Sequence, residues 1–559
     1  MVRQGAGGRE RGLLKILDAE SLAKLRMSPK EIEEILSKGN ERTPISRISD
    51  DTLLRILLFA VTTRDTMQSR WSRWRKKDRT PEPGWPIFTI CRVCKKWKDI
   101  AEHNALIWTE IDSDDLVDAL LSIGMSRGAP LRFNFGPIVS DQHDHKSDLL
   151  HMFVDIMEGK RERIRGLNVD LSNDLLSDVM PLLSFGMPIL QELALCRRRF
   201  APKKPILPIT TGIVMEHHPT LRHLSLDGLI VPFQSPIFQG LRSLELRNLY
   251  TSFTKPADVP PITELLDVLK QCPQLERLVL ESAGPKFTEQ VKECPKPTRQ
   301  VDLPHLAFLK VENAAMETAN TLSHLIVPES CHAEINSTVL FRHTKAFLTF
   351  LPVDRSNLKM LGAIDEVDIT FFWHPNFGFC VNMTGLQRSK ITTKLQAQWC
   401  HTVKHKIKYQ ERIPQVMDSA TQVFPNWAAL QRVSLCLYFK EITLSLWKVL
   451  FEAIPSVTYL KLTNRELNEG EWSESELPLL GLHPTEEQVL CPDLDTLVFD
   501  HFSLETTWKT VVENCFKKRF ERGSRLNKLV LDRYAWLGSG KLTFPAKTFG
   551  KICGKVEML

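Results

Sequence analysis

Three groups of side chains have the types and spacing of metal chemistry. Asp141, His143, Asp144, His145 and Asp148 crowd one short stretch, Cys400, His401 and His405 another, and Cys91 and Cys94 form a CxxC. Thiolate, imidazole and carboxylate so spaced can ligate a transition metal. Each group also has a plainer reading. The first lies in a polar stretch that reads as a loop, and the Cys400 group reads the same way. A CxxC without a second pair is a weak zinc signal, and here it reads as core thiols of one helix. No Walker A loop, GxGxxG, GxSxG or HExxH occurs, and no serine or cysteine has a base partner at a recognisable spacing. The chain is therefore expected to be no enzyme and to hold no metal or cofactor.

The elements that would position a binding surface are clearer. From about residue 130 onward the pattern apolar-x-x-apolar-x-apolar recurs. Leu190/Leu193/Leu195, Leu221/Leu224/Leu226, Leu241/Leu244/Leu246, Leu275/Leu278/Leu280 and Leu306/Leu309/Val311 carry it. It returns at Ile364/Val367/Ile369, Leu430/Val433/Leu435, Val457/Leu460/Leu462, Leu494/Leu497/Phe499 and Leu526/Leu529/Leu531. Pro188, Pro219, Pro273, Pro304, Pro455 and Pro492 each stand two residues ahead of a match. The last two apolar positions alternate with the strand period of two, and helical stretches such as Ile262, Leu265, Leu266 and Leu269 lie between. Most spacings fall between 20 and 37 residues, which resembles leucine-rich repeats. A strand–helix unit is apolar on one side, so neighbours must stack to bury a core. The expected fold class is α/β: an N-terminal helical module, then an irregular leucine-rich-repeat solenoid with a parallel concave sheet. Residues 312–429 fit poorly, with Ile364 the one good match and His332–Ile335 and Ile391–Leu395 weak strand candidates. Residues 464–490, with Glu466, Glu469, Glu471, Glu474 and Glu476, read as an acidic loop.

Residues flanking the last two apolar positions would point outward on the concave side. These are His223, Asp227, Glu245, Arg247, Arg277 and Glu281, then Lys310, Glu312, Tyr459, Lys461, Asp500, Lys528 and Asp532. Ten strands about 4.8 Å apart would make a surface roughly 50 Å long, a size for a protein or peptide partner. Asp227, Glu281, Glu312, Asp500 and Asp532 share one strand position. They form either an acidic strip for a basic partner or a set of short acids bonding the turn backbone after each strand.

Composition fits an ordinary globular protein, with 43% hydrophobic and 25% charged residues. No apolar run reaches about 18 residues and the start lacks a signal-peptide h-region. A cytoplasmic and/or nuclear protein with no membrane partner is expected, and twelve scattered cysteines read as reduced thiols. Residues 1–43 read as a peripheral helical extension. The charge is uneven: residues 1–111 hold 22 Lys and Arg against 15 Asp and Glu, and the remainder 51 against 52. The excess peaks between Arg64 and Arg79, interleaved with Trp71 and Trp74. This segment reads as a solvated insertion at 63–86, with an import signal, an anionic partner or nucleic acid as alternatives.

Residues 44–111 carry the sharpest motif. Ser49 or Asp50 can cap a helix beginning near Asp51, with a stripe at Leu53, Ile56, Leu57 and Ala60. Ile90, Val93, Cys94, Trp97, Ile100 and Ala101 make a second stripe. Ile48, Asp51, Leu53 and Ile56, then Val93, Cys94 and Trp97, then Leu106 and Trp108 resemble an F-box, with Ser49 in place of the usual proline. The resemblance implies docking to a Skp-type adaptor, and through it a cullin scaffold, by Ile48, Leu53, Ile56, Leu57, Val93 and Trp97. Some of these would touch the adaptor and some would hold the helices together. The repeats would then present an unidentified target protein for ubiquitin transfer by other subunits. The alternatives are a scaffold without ubiquitin output and, less favoured, a nucleic-acid-associated protein.

Overall fold

The structure, a computed structural model, describes residues 47–62, 86–112, 116–135, 143–172, 186–198, 218–249, 259–284, 297–339, 346–374, 378–388, 390–399, 413–437, 442–464, 477–500, 506–531 and 553–558. They form a mixed α/β protein in two compact units. One runs to Leu193 and takes in residues 218–220; the other holds 194–198 and 221 onward. No helix among the described residues is long and apolar enough to cross a membrane.

The first unit opens with three helices, α1 (Asp50–Thr62), α2 (Pro86–Cys91) and α3 (Lys95–His103). Ser49 starts α1: its carbonyl accepts from Leu53 N at 2.8 Å and its Oγ from Thr52 N at 3.3 Å. Asp50 and Asp51 occupy the first turn, where the helix dipole favours negative charge. Leu53 and Leu57 face inward with half-buried Leu54 and Leu58 beside them, whereas Ile56 and Ala60 are exposed. The buried edge thus differs from the expected stripe, because the partner helices decide which side of a short helix is covered. The second stripe is not one helix either. Cys91 ends α2, and Cys94 precedes α3 in extended conformation with φ −164°. Trp108 follows in a short 3-10 turn, and its Nε1 donates to the Ala101 carbonyl at 2.7 Å inside the core. β1 (Glu110–Asp112), α4 (Leu116–Met125), β2 (Leu131–Phe135), α5 (His143–Glu158) and β3 (Ile164–Ser172) complete this unit, with β1, β2 and β3 parallel. The division falls within β4 (Glu192–Arg198).

The second unit is built on a mostly parallel sheet. β5 (His223–Asp227), β6 (Ser243–Arg247) and β7 (Arg277–Glu281) pair in register, with α6 (Ile262–Lys270) between the last two in sequence. After β8 (Val301–Asp302), β9 (Phe308–Ala314) pairs with β7. α7 (Ala315–Ser323) leads through β10 (Leu325–Ile326) to β11 (His332–Val339), parallel to β9. The recurrent prolines have a local cause. Leu275 N donates to Cys272 O at 3.1 Å, Leu306 N to Leu303 O at 3.1 Å and Leu494 N to Cys491 O at 3.1 Å. Pro273, Pro304 and Pro492 therefore sit second in a β-turn, where the ring presets φ. At the other strand end Gly228, Asn248 and Ser282 adopt φ of 71°, 49° and 51°. Their amides donate to Arg247 O, Glu281 O and Glu312 O on the neighbouring strand.

The irregular middle is a change of topology. After α8 (Ala346–Phe350) the chain makes an antiparallel meander of β12 (Glu366–His374), β13 (Gly378–Gln387) and β14 (Lys390–Trp399). β14 runs beside β11, and β12 beside β15 (Arg432–Leu437), both parallel. The spatial order is therefore β11, β14, β13, β12, β15. A bulge falls at Gly385, where a Cβ would lie 2.7 Å from Ile364 Cδ1. α9 (Ile413–Ala420) precedes β15. Then come α10 (Leu444–Ala453), β16 (Tyr459–Asn464), α11 (Leu477–Leu482), β17 (Thr496–Asp500), α12 (Thr506–Glu521), β18 (Lys528–Leu531) and β19 (Lys555–Met558). These strands pair in parallel from β15 to β19. α11 lies inside the stretch expected to be a loop and buries Leu479 and Leu482. On each strand of β5 to β7 the second and fourth residues are buried leucines, and Leu265, Leu266 and Leu269 of α6 are buried with them. α7 packs on β9 and β11, and α8 on β11 and β14.

Candidate functional site

Two surfaces carry the candidate residues, one in each unit. In the helical unit Leu53, Leu57, Ile87, Ile90, Ala101, Ile107 and Trp108 are core, with Ile48 and Trp97 partly buried against them. Lys96 Nζ ties the start of α1 to α3, donating to Ile48 O at 2.9 Å and pairing with Asp50 at 3.0 Å. Apolar side chains remain at the surface: Ile56 is 43% exposed, Phe59 68%, Val93 49% and Leu106 52%. Of the six residues from the motif, Leu53 and Leu57 hold the helices together, and Ile56 and Val93 can meet a partner. Phe59 was missed because it sits between the two expected stripe positions Ile56 and Ala60. α4 also exposes Val117, Leu120 and Leu121.

The second surface is the polar side of the sheet in the larger unit. Strand registry places its side chains in rows. One row runs Asp227, Arg247, Glu281, Glu312, Asn336, Gln396, Asn382, Thr370, Cys436, Thr463, Asp500. At the β5–β9 end its charges are spent on one another. Glu245 pairs with Arg247 at 3.1 Å and Arg277 at 2.7 Å, while Glu281 pairs with Arg247 at 3.5 Å and Lys310 at 2.6 Å. Lys310 also reaches Glu312 at 3.4 Å. Burial acts to lower the Lys310 ammonium, but the two glutamates overcome it and hold its pKa above the ordinary lysine value. The Arg277 guanidinium lies 4.0 Å over the Phe308 ring, which stacks on His332. Asp227, Glu245, Arg247 and Glu281 are all buried. Of the shared acidic position, Asp227, Glu281, Glu312 and Asp500 each have a side-chain partner, so these four are no free acidic strip. Asp227 accepts from Asn248 Nδ2 at 2.7 Å, Glu281 neutralises cations on the strands to either side, and Glu312 meets Lys310 on its own strand.

The β15–β19 end repeats the scheme. Lys461 pairs with Asp500 at 2.8 Å, Lys528 with Glu557 at 2.6 Å and Arg432 with Glu366 at 3.3 Å, with the Arg432 guanidinium 4.2 Å over the Tyr459 ring. Asp500 also accepts from Thr463 Oγ1 at 3.3 Å. Burial pushes the Asp368 carboxyl up, against the Thr370 and Ser434 hydroxyls and the charge of Lys461. His223, on β5, is exposed.

Between these ends β11 and the meander add residues that the repeat pattern does not mark: Glu334 and Asn336 on β11, Asn382 and Thr384 on β13, and Lys394 and Gln396 on β14. The signal was there as a period of two, in Val381 and Met383 against Asn382 and Thr384, and in Leu395 and Ala397 against Lys394 and Gln396. Burial acts to raise Glu334, but Lys394 at 3.1 Å and His332 at 3.4 Å overcome it and hold the carboxyl below its usual range. Asp532, Cys400, His401, His405, Asp141, the segment Arg64–Arg79, the acidic residues Glu466–Glu476 and residues 1–46 lie outside the described residues. Among the described residues no group of three or more His, Cys, Asp or Glu is placed to hold a metal ion. Compared with models of known protein families the chain matches none, and a comparison with curated proteins finds no match.

Proposed function

We propose that this chain is the substrate-recognition subunit of a cullin-based, SCF-type ubiquitin ligase. The helical unit is the F-box, docking to a Skp-type adaptor, and the sheet of the larger unit is a leucine-rich-repeat-like platform for a target protein. The observation that carries this reading is the division of labour among the motif residues. Leu53, Leu57 and Trp108 are core, while Ile56, Phe59, Val93 and Leu106 leave apolar surface on the same small module. Exposed apolar side chains grouped on so small a helical unit favour a protein partner. Such a subunit has no catalytic residues of its own and acts by holding the target near the charged enzyme.

The test is co-elution of the full chain with a Skp-type adaptor on size-exclusion chromatography. Wild type should form a one-to-one complex. Ile56→Asp with Val93→Asp should abolish it while leaving the melting curve unchanged, because both side chains are exposed. A stable wild-type chain that never co-elutes refutes the adaptor half of the proposal. Unchanged cellular half-life of a captured target when the chain is removed would leave a scaffold without ubiquitin output.

A further inference from the structure

The polar side of the sheet is not equally open along its length. On β6, β7, β17 and β18 the outward positions Glu245, Val279, Val498 and Val530 are buried. Between them the register continues the same row through Glu334, Lys394, Thr384, Asp368, Ser434 and Lys461, from β11 to β16, and each of these is half-buried or exposed. Of the acids in this open stretch, Glu334 pairs with Lys394 at 3.1 Å and Glu366 with Arg432 at 3.3 Å. Lys461 is held by Asp500 at 2.8 Å. Asp368 has no ion pair among the described residues and accepts only from hydroxyls, Thr370 Oγ1 at 3.1 Å and the Ser434 side chain. A carboxylate has about four acceptor sites, so part of its capacity is unspent. Its neighbours across the strands, Thr384 and Ser434, are short. The carboxylate therefore stands in a gap between Lys394 and Lys461, whose strands lie roughly 19 Å apart.

We propose that Asp368 anchors a basic side chain, lysine or arginine, of the partner protein. The inference rests on the reading of this face as a target platform and names the chemistry of its centre. An ammonium or guanidinium has only donors, and the site offers it a carboxylate flanked by the hydroxyl oxygens of Thr370, Thr384 and Ser434. The nearby cations do not compete, because Lys461, Lys394 and Arg432 are each held by another acid. An acidic side chain would meet a like charge at this position, and a neutral one would leave the carboxylate without a counter-charge. Burying a charge without a partner costs the free chain stability, and burial indeed holds the Asp368 carboxyl above its usual range. An incoming cation removes that cost, so the group that is a liability in the free chain becomes an attachment point in the complex.

The test uses the full chain and an array of immobilised ten-residue peptides of random sequence at pH 8. Wild type should retain peptides that contain Lys or Arg over those that contain neither. Replacing that Lys or Arg by Met in a retained peptide should cost about tenfold in retention on wild type. On Asp368→Asn, which keeps the shape and removes the charge, the same replacement should cost less than about twofold, since the two changes act on one contact. The melting midpoint of Asp368→Asn, measured alongside, should lie at or above that of wild type. Equal losses on the two proteins place the basic contact elsewhere and overturn the proposal. So do a retained set without preference for Lys or Arg, and no retention by wild type. Co-elution with the adaptor, measured in parallel, separates the two readings. Its absence sinks the ligase assignment and leaves Asp368 standing or falling on the array, whereas a charge-blind array sinks the anchor alone.

Discussion

Replacing Glu281 by glutamine should loosen the β6–β9 strands by about 2–3 kcal/mol. The Glu281 side chain is 11% exposed and bridges Lys310 Nζ at 2.6 Å to Arg247 Nη1 at 3.5 Å, with the Arg247 side chain 7% exposed. Glutamine keeps the shape and can still accept from Lys310, but its amide turns a donor toward a guanidinium that has only donors. Exposed ion pairs contribute about 0–1 kcal/mol, while removing one partner of a fully buried pair costs about 3–5 kcal/mol. Here each cation keeps another carboxylate, Glu245 at 3.1 Å for Arg247 and the half-exposed Glu312 at 3.4 Å for Lys310. The cost should fall between those limits. Amide hydrogen exchange in β7 and β9 of the full chain reads it directly, as exchange roughly 30- to 150-fold faster. Half-molar salt should change wild-type exchange little, because buried pairs are weakly screened. A double-mutant cycle with Lys310→Met should give a coupling of about 1–2 kcal/mol. Exchange accelerated less than about threefold would refute the argument that these charges hold the sheet together.

Two further outcomes follow from single groups. Trp108→Phe keeps most of the apolar volume but removes the 2.7 Å bond to the Ala101 carbonyl, and should destabilise the helical unit by about 1–2 kcal/mol in thermal unfolding. Asp368 has its carboxyl raised by burial, so the fold prefers it protonated. That preference contributes stability below its ordinary value of 3.8, and the contribution is lost as pH rises through the folded value. Asp368→Asn should therefore raise the melting midpoint at pH 7, by about 1–2 °C, and the gain should vanish in acid. A lower midpoint at pH 7 would contradict it.

What depends on neighbours along the chain is legible in its residues. The apolar positions of β5, β6, β7, β9 and β15 to β18 follow from a period of two, and α6 and α10 from a period of 3.6. Proline marks the turns into strands because it presets the φ of their second residue. Ser49 and Asp50 start α1 through contacts within one turn. What depends on distant residues is settled only when the chain folds. Glu245 meets Arg277 from 32 positions away, so a residue that alternation marks as outward-facing is a buried, paired one. The two stripes of the helical unit were legible as apolar, but which side of α1 is covered depends on α2 and α3. β12 and β15 carry the repeat signature but β13 and β14, which stand between β11 and β12, do not, because an antiparallel meander has its own turn and a bulge at Gly385. Period-two alternation finds a strand but carries no information about its neighbour. Only the folded sheet, by bringing β13 and β14 between β11 and β12, sets Asn382 and Gln396 opposite one another.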